Sequence, residues 1–325
     1  MTGDLTEITV VGDDDTGLVA GVTQLLFERG INVEDIDQAV RDGVFRMTTL
    51  VDCAEMVCTR ETLRADLAAL GEDLGVDVRV RFPEDDGGHQ LAVLVTRESH
   101  PFEALLAAVD DGRLDAEVAV VVGNHDDLAP LAEEHGVPFV DVGDESGAVD
   151  EEQLLAVLDD HGVDLVVLAR FMRILSPEVV FRYQRRIVNV HPSLLPAFPG
   201  AEAYRQALEA GVRVAGVTAH YVTTDLDQGP IVTQRAFDVP DDATVADLKR
   251  RGQPLEAEAL VEAVRLHCND DLTVHHGRTD LRGDPEDYRL GLSASQQADN
   301  PEAPVDRRLA AEGDDWKQTK RPADD

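Results

Sequence analysis

The sequence predicts an α/β protein of two modules, a compact βαββαβ unit followed by an open, mostly parallel sheet covered by helices. Three observations carry that prediction. Over residues 5–82, apolar residues alternate or recur at helical spacing in the order strand, helix, strand, strand, helix, strand. Pro83-Glu84-Asp85-Asp86-Gly87-Gly88 then interrupts the pattern with polar, acidic and glycine residues. Beyond it, short continuous apolar runs alternate with helical segments, as in parallel sheets buried on both faces.

Residues 5–11 alternate as a strand, and 17–29 place Leu18, Val22, Leu25 and Leu26 on one helical face before Gly30 stops the helix. Residues 31–40 and 44–53 are strands joined across Arg41-Asp42-Gly43, a tight turn. A helix over 60–74 presents Leu63, Leu67, Leu70 and Leu74, and 76–82 is the last strand of this unit. In the second module, apolar runs at 91–95, 117–122, 138–142, 165–169 and 187–190 are strands. Helices start near Pro101, Asp127, Asp150 and Pro177, with Asp150 and Ser176 as caps. Gly200 releases a helix over 201–210 that Gly211 ends, and strands at 214–222 and 231–237 precede a helix over 244–267. The division is therefore 1–83, a linker at 84–88, 89–280, and an acidic tail at 281–325. Residues 283–325 are rich in Asp, Pro, Ala, Gln and Gly without periodicity, and are expected to be largely disordered.

Chemistry concentrates in Asn189-Val190-His191-Pro192-Ser193-Leu194-Leu195-Pro196, with His220 and Asp227-Gln228-Gly229-Pro230 downstream. An amide, an imidazole and a carboxylate suffice to move a one-carbon acyl group without a metal or a covalent intermediate. The carboxylate can take a proton from the nucleophile, while the amide N–H and a protonated imidazole hold the oxyanion. Asn189 and His191 are two apart on a strand, so both point to one side where it runs into a proline-bounded loop. In open sheets ligands bind outside the carboxyl ends of the strands, where these residues lie. Each residue alone also has an ordinary structural reading, His220 as a buried strand residue and Asp227 as turn chemistry. The combination is the signal.

That combination resembles a known family. Asn189-x-His191-Pro-Ser-Leu-Leu-Pro-x-Phe198-Pro-Gly200, Gly216-x-Thr218-x-His220-x-Val222 and Leu226-Asp227-x-Gly229-Pro230-Ile231 are similar to the signature of the 10-formyltetrahydrofolate-dependent formyltransferases and hydrolases. The resemblance implies a Rossmann-like formyltransferase domain, a catalytic trio of Asn189, His191 and Asp227, and supporting roles for His220, beside Asp227, and Thr218. It implies no cofactor and no metal, folate being the substrate. Leu168-Ala169-Arg170-Phe171-Met172-Arg173-Ile174-Leu175-Ser176 resembles the loop lining the folate pocket, so Met172, Arg173, Ile174 and Leu175, together with Gly229, are expected to hold the substrate.

The acceptor of the formyl group is open at this point. Transferases to glycinamide ribonucleotide have a Gly/Ser-rich turn whose backbone N–H groups cradle a phosphate. Here the turn is Thr96-Arg97-Glu98-Ser99-His100-Pro101, with no glycine, a carboxylate, and a proline that lacks an N–H. This turn and Val122-Gly123-Asn124-His125-Asp126-Asp127-Leu128 resemble the formyltetrahydrofolate deformylases, which hydrolyse the formyl group to formate. Pro192 and Leu194 depart from that branch, which usually has a histidine and a phenylalanine there.

The amino-terminal order, with Asp14-Asp15-Thr16-Gly17-Leu18-Val19-Ala20 at the first strand-to-helix turn, resembles a ferredoxin-like ACT domain. Such modules commonly pair with a second copy and bind amino acids. The resemblance implies a homo-oligomer and an amino-acid effector, with Gly17 and Asn32 as candidate effector residues; an ACT module on a formyl-transferring domain is similar to the deformylase architecture. A non-catalytic amino-acid sensor is the reading from another class, and an intact trio argues against it.

Hydrophobic residues make up 43% of the chain, an ordinary globular value. No apolar run is long enough to span a bilayer and no secretory signal opens the sequence, so a cytoplasmic location is expected. Cys53, Cys58 and Cys268 form neither a disulfide framework nor a metal set. With 65 acidic against 29 basic residues the net charge is −36, which argues against nucleic acid or an acidic membrane as partner. Lysine occurs only at Lys249, Lys317 and Lys320, a composition that resembles haloarchaeal proteins from salt-saturated cytoplasm. At molar ionic strength the Debye length falls to about 3 Å, which suppresses self-repulsion. Thermal melting followed by circular dichroism is expected to be sharper and higher in molar KCl than in dilute buffer; equal melting in the two would contradict a halophilic fold.

Overall fold

The structure, a computed structural model, describes residues 5–82, 89–275 and 277–282. The expected linker, and all of the expected tail except Leu281 and Arg282, lie outside the described residues.

Strands β1 (Thr6–Asp13), β2 (Asn32–Arg41), β3 (Val44–Asp52) and β4 (Val76–Arg81) form an antiparallel sheet in the order β2-β3-β1-β4. Helices α1 (Leu18–Glu28) and α2 (Arg60–Leu74) pack on it through Leu18, Val22, Leu26, Leu63 and Leu67. Thr59 caps α2 by accepting from Thr62 N–H at 3.2 Å, and Gly75, at φ 70°, turns the chain out of it. The βαββαβ order expected from the sequence is the order observed.

The second sheet has seven strands in the order β11-β10-β9-β8-β5-β6-β7. Strands β5 (His89–Val95), β6 (Ala116–Gly123), β7 (Phe139–Asp141), β8 (Leu165–Ala169) and β9 (Ile187–His191) run parallel. Strands β10 (Val214–Tyr221) and β11 (Ile231–Asp238) add antiparallel pairings at one edge. Every residue of β8 is buried, which is why its sequence is uniformly apolar. Successive residues of each strand feed opposite cores. Leu91, Val93, Val167 and Val188 meet α3 (His100–Asp110), α7 (Ala203–Glu209) and α8 (Val245–Cys268), whereas Ala92, Leu94, Val166 and Ile187 meet α5 (Glu151–Asp160) and α6 (Pro177–Arg182). The short α4 (Ala129–Glu134) leads into β7.

Two differences from the expected elements have local causes. The helix expected over 201–210 begins only at Ala203, because Gly200 and Glu202 sit at φ 81° and 59° in a loop tied elsewhere. After α8 a hairpin of β12 (Leu272–His275) and β13 (Arg278–Leu281) follows, turning at Gly277 with φ 74°; its strands are too short for a clear periodic signal. No helix among the described residues is long and apolar enough to cross a membrane.

The two sheets are joined through α6, which packs on β1 and β3. Arg182 Nη1 donates to Asp77 Oδ2 at 2.9 Å and Arg79 Nη2 to Asp159 Oδ2 at 2.7 Å. The buried Tyr183 ring lies under the guanidinium groups of Arg79 and Arg186, 5.8 and 5.3 Å from its centre.

Within α8, Gly252 lets Tyr204 come close: a Cβ there would stand 1.8 Å from the tyrosine oxygen, which in turn donates to Glu256 at 2.7 Å. A ring fixed at both ends cannot retreat. Gly252→Ala should therefore lower stability by about 1–3 kcal/mol, against the roughly 1 kcal/mol of helix propensity that alanine adds. Urea denaturation in molar KCl measures the difference, and an unchanged or raised midpoint would refute the packing assignment.

Candidate functional site

Strand β9 ends in Asn189-Val190-His191 and pairs with β10 so that His220 stands opposite Asn189 and Thr218 opposite His191. Residues directly opposed share a face of the sheet, so these four side chains emerge on one side. Their neighbours Val188, Val190, Val217 and Ala219 point to the other side, into the core.

The loop after β9 folds back over His191. Its Nε2–H donates to Phe198 O at 2.9 Å, and Nδ1 faces Asp227 Oδ2 at 3.3 Å. Gly200 N–H donates to the same Asp227 oxygen at 2.7 Å, so one carboxylate oxygen is anchored between the two loops. Asp227 Oδ1 takes no hydrogen bond from the described residues and lies 3.8 Å from His220 Nε2. Arg170, Phe198, Glu202 and Asp227 all have φ between 57° and 61° or, for Asp227, 53°, a backbone region that costs non-glycine residues energy. Such residues cluster around this site.

His220 is 2% exposed. Its Nδ1–H donates to Tyr221 O at 3.0 Å, which leaves the Nε2 lone pair to accept from Asn189 Nδ2 at 3.3 Å. Burial holds its pKa below the ordinary histidine value, against the opposing pull of the Tyr221 carbonyl and Asp227. His220 thus accepts from the Asn189 amide and also stands beside Asp227, 3.8 Å from its Oδ1. Thr218, fully buried, supports the site from underneath. Its hydroxyl donates to Ser193 O at 2.7 Å and accepts from Leu195 N–H at 3.0 Å and Gln234 Nε2 at 2.8 Å, tying down the proline-bounded loop.

Asn189, His191, His220 and Asp227 line a cavity of about 630 Å³ together with the segment from Arg170 to Leu175. Met172, Arg173, Ile174 and Leu175 all line it, and the Met172 and Ile174 side chains are 58% and 76% exposed, as at the lip of a binding pocket. Met172 N–H donates to Thr96 Oγ1 at 3.0 Å and Arg173 Nη2 to Ser146 O at 2.8 Å, fixing the segment from behind. Gly229 is not in the lining. It is buried under the Tyr221 carbonyl, which a Cβ would approach to 1.7 Å, so the expected contact with substrate is replaced by a packing role that lets the Asp227 loop close. Among the described residues, no group of His, Cys, Asp or Glu side chains is arranged to hold a metal ion.

In the first module, Gly17 opens α1 at φ 97° beside a shallow depression of about 370 Å³ lined also by Asp14, Asp15, Gln38 and Phe45. Asn32 starts β2 and pairs with Glu34, whereas the depression meets the other end of that strand. Six residues of strand separate Asn32 from Gln38, about 20 Å. Within one chain the two candidate effector residues do not form one site.

Sequence reasoning missed the Gly200 N–H that anchors Asp227, although Gly200 stood within the motif. It also left out Tyr204 and Lys249, which line the cavity from two helices, and did not foresee that Glu98 and Arg170 meet there.

The chain matches two family models, formyl transferase over residues 89–264 and ACT domain over residues 7–81. The formyltetrahydrofolate deformylase of Bacillus subtilis is 35% identical over 271 residues, spanning 82% of this chain and 90% of that protein. The deformylase of Escherichia coli is 37% identical over 271 residues, spanning 82% and 94%. Among solved structures, a formyltetrahydrofolate deformylase from Pseudomonas syringae pv. tomato superposes with a TM-score of 0.59 at 28% identity, covering 86% of this chain and 94% of that one. Glycinamide ribonucleotide transformylase 1 from Symbiobacterium toebii gives a TM-score of 0.58 at 36% identity, covering 95% of its own chain but 60% of this one.

Because its folded-state pKa is lowered, the stability that neutral His220 contributes is complete above the ordinary value of about 6.5 and is lost as pH falls through the folded value. A side-chain ¹⁵N NMR titration should find His220 neutral, with its proton on Nδ1, to lower pH than an ordinary histidine. A ring that becomes doubly protonated at or above the ordinary value would rule out its role as acceptor for Asn189.

Proposed function

The chain belongs to the formyltetrahydrofolate deformylase family, and from that premise we propose how its own residues hydrolyse 10-formyltetrahydrofolate to tetrahydrofolate and formate. The observation that carries the proposal is the convergence of Asn189, His191 and Asp227 on one cavity that the Met172–Leu175 segment also lines. The folate lies against that segment, and its formyl carbon reaches the trio.

Asp227 acts as general base. Its Oδ2 is held by Gly200 N–H and His191, so Oδ1 is the oxygen left to orient a water and take its proton. The water oxygen attacks the formyl carbon, and negative charge collects on the formyl oxygen. Asn189 donates one amide proton to His220 and has the second for that oxyanion; His191, its Nε2–H spent on Phe198 O, shares its Nδ1–H between Asp227 Oδ2 and the oxyanion. As the tetrahedral intermediate collapses, the carbon–nitrogen bond breaks, the folate nitrogen takes back the proton through Asp227, and formate leaves. Preorganisation is the source of rate: the donors are fixed before charge develops. No cofactor enters this scheme.

The deformylase structures are matched across both modules, while the transformylase of Symbiobacterium toebii is matched over 60% of this chain. Water as acceptor is the reading this favours over transfer to glycinamide ribonucleotide, despite Pro192 and Leu194. We further assign the enzyme to the cytoplasm and the ACT module to assembly of a homo-oligomer. The outer edge of β2, with Ile36 and Val40 39% and 53% exposed, is the surface offered for pairing. An amino-acid effector would bind at the Gly17 depression.

Asp227→Asn should reduce formate release by about 10²–10⁴-fold with binding of the folate retained, and Asn189→Ala by about 10²–10³-fold. Formate assays in molar KCl with purified full-length variants read both effects. Full activity of the Asp227 variant would refute the assignment of the base.

A further inference from the structure

A second cluster in the cavity takes no part in the chemistry above. Glu98 follows β5 and Arg170 follows β8, the neighbouring strands at which the order of the seven-stranded sheet reverses. Open α/β sheets bind their ligands in the crevice at such a reversal. Here protein side chains span the crevice. Arg170 Nε donates to Glu98 Oε2 at 3.1 Å and Nη2 donates to Oε1 at 3.3 Å, a two-point pair. Behind it stands Glu256 of α8, 1% exposed, with Oε2 3.7 Å from Arg170 Nε. Tyr204 donates its hydroxyl to Glu256 Oε1 at 2.7 Å, and His100 Nε2 lies 3.2 Å from Oε2.

The cluster sets two carboxylates around one guanidinium, and Lys249 on the cavity wall adds a positive charge near Glu98. Burial acts to raise the pKa of Glu98, but the hydrogen bonds and charge of Arg170 hold it below the ordinary carboxylate value; His100 and Arg170 do the same for buried Glu256. Both are carboxylates at neutral pH. Arg170 directs its donors at Glu98 instead of into the cavity. An anionic ligand entering the crevice would face the Glu98 carboxylate, with Glu256 buried behind it, and would have to displace Glu98 to reach the guanidinium. Water has no such requirement.

We propose that the Glu98–Arg170–Glu256 cluster is a built-in anion plug: it occupies the ligand crevice with the Glu98 carboxylate, held by Arg170 and backed by buried Glu256, excludes an anionic second substrate, and so confines the acceptor to water. Glu98 and Arg170 are thereby specificity-determining residues, distinct from the trio that performs the reaction. The proposal rests on the deformylase reading and adds the reason for its acceptor.

The test uses full-length protein in molar KCl with 10-formyltetrahydrofolate, and follows free formate, inhibition by inorganic phosphate, and formyl transfer to glycinamide ribonucleotide. Wild type, Glu98→Gln and Glu98→Ser are compared; the Glu98 side chain is 36% exposed at a turn, so either substitution leaves the core intact. Wild type should release formate with only a weak response to phosphate, at high concentration. In both variants phosphate should inhibit formate release at a concentration at least about tenfold lower, a tenfold change being the response expected when about 1.4 kcal/mol of repulsion is lost. Phosphate acting equally on wild type and variants, or failing to act on either folded variant, overturns the plug while leaving the deformylase reading in place. Wild-type formyl transfer to glycinamide ribonucleotide exceeding formate release overturns that reading, and the plug with it.

Discussion

The antiparallel pairing of β9 with β10 is the constraint on which the site depends. A parallel sheet delivers successive strands side by side, but the reversal at β10 sets Asn189 beside His220 and His191 beside Thr218 in fixed register. A slip of one residue would turn all four side chains into the core and bring Val190 and Ala219 to the cavity. Burial of Val188, Val190, Val217 and Ala219 on the opposite face makes that slip costly, so the hydrophobic effect on one side of the sheet enforces the geometry of the cavity face on the other.

Polar clamps then convert strand geometry into a site. Thr218 pins the loop after β9, Gly200 N–H draws the Asp227 loop against it, and Gly229 permits that approach by having no side chain under the Tyr221 carbonyl. His220 works by being neutral. With its proton committed to Tyr221 O, it can only accept at Nε2, and this settles which way the Asn189 amide turns. Two histidines on one sheet face therefore have different tasks, one buried as acceptor and one placed beside a carboxylate as donor.

The extreme acidity of the chain leaves little trace at the site. Around the cavity, acidic groups are matched locally, Asp227 by backbone and imidazole donors, Glu98 and Glu256 by Arg170 and His100. Between the modules, Asp77 and Asp159 meet Arg182 and Arg79. These local pairings at the cavity and between the modules are set by the fold, and composition alone does not reveal them.

Sequence alone determined the element order and the two-module organisation, and it singled out Asn189, His191 and Asp227, which the fold brings to one cavity. Those signals are short-range: periodicity of 2 or 3.6, glycines where φ is positive, and an ordered motif whose spacing along the chain matters. It also located the Met172–Leu175 segment. Tertiary structure decided what depends on distant partners. Only folding brings Gly200 to Asp227, turns His220 to Asn189, retires Gly229 to packing, separates Gly17 from Asn32 along β2, and draws Glu98, Arg170 and Glu256 from three elements into one crevice. A hydrogen bond or ion pair between residues tens of positions apart is set by sheet register and strand order, and neither leaves a local imprint on the residues that meet.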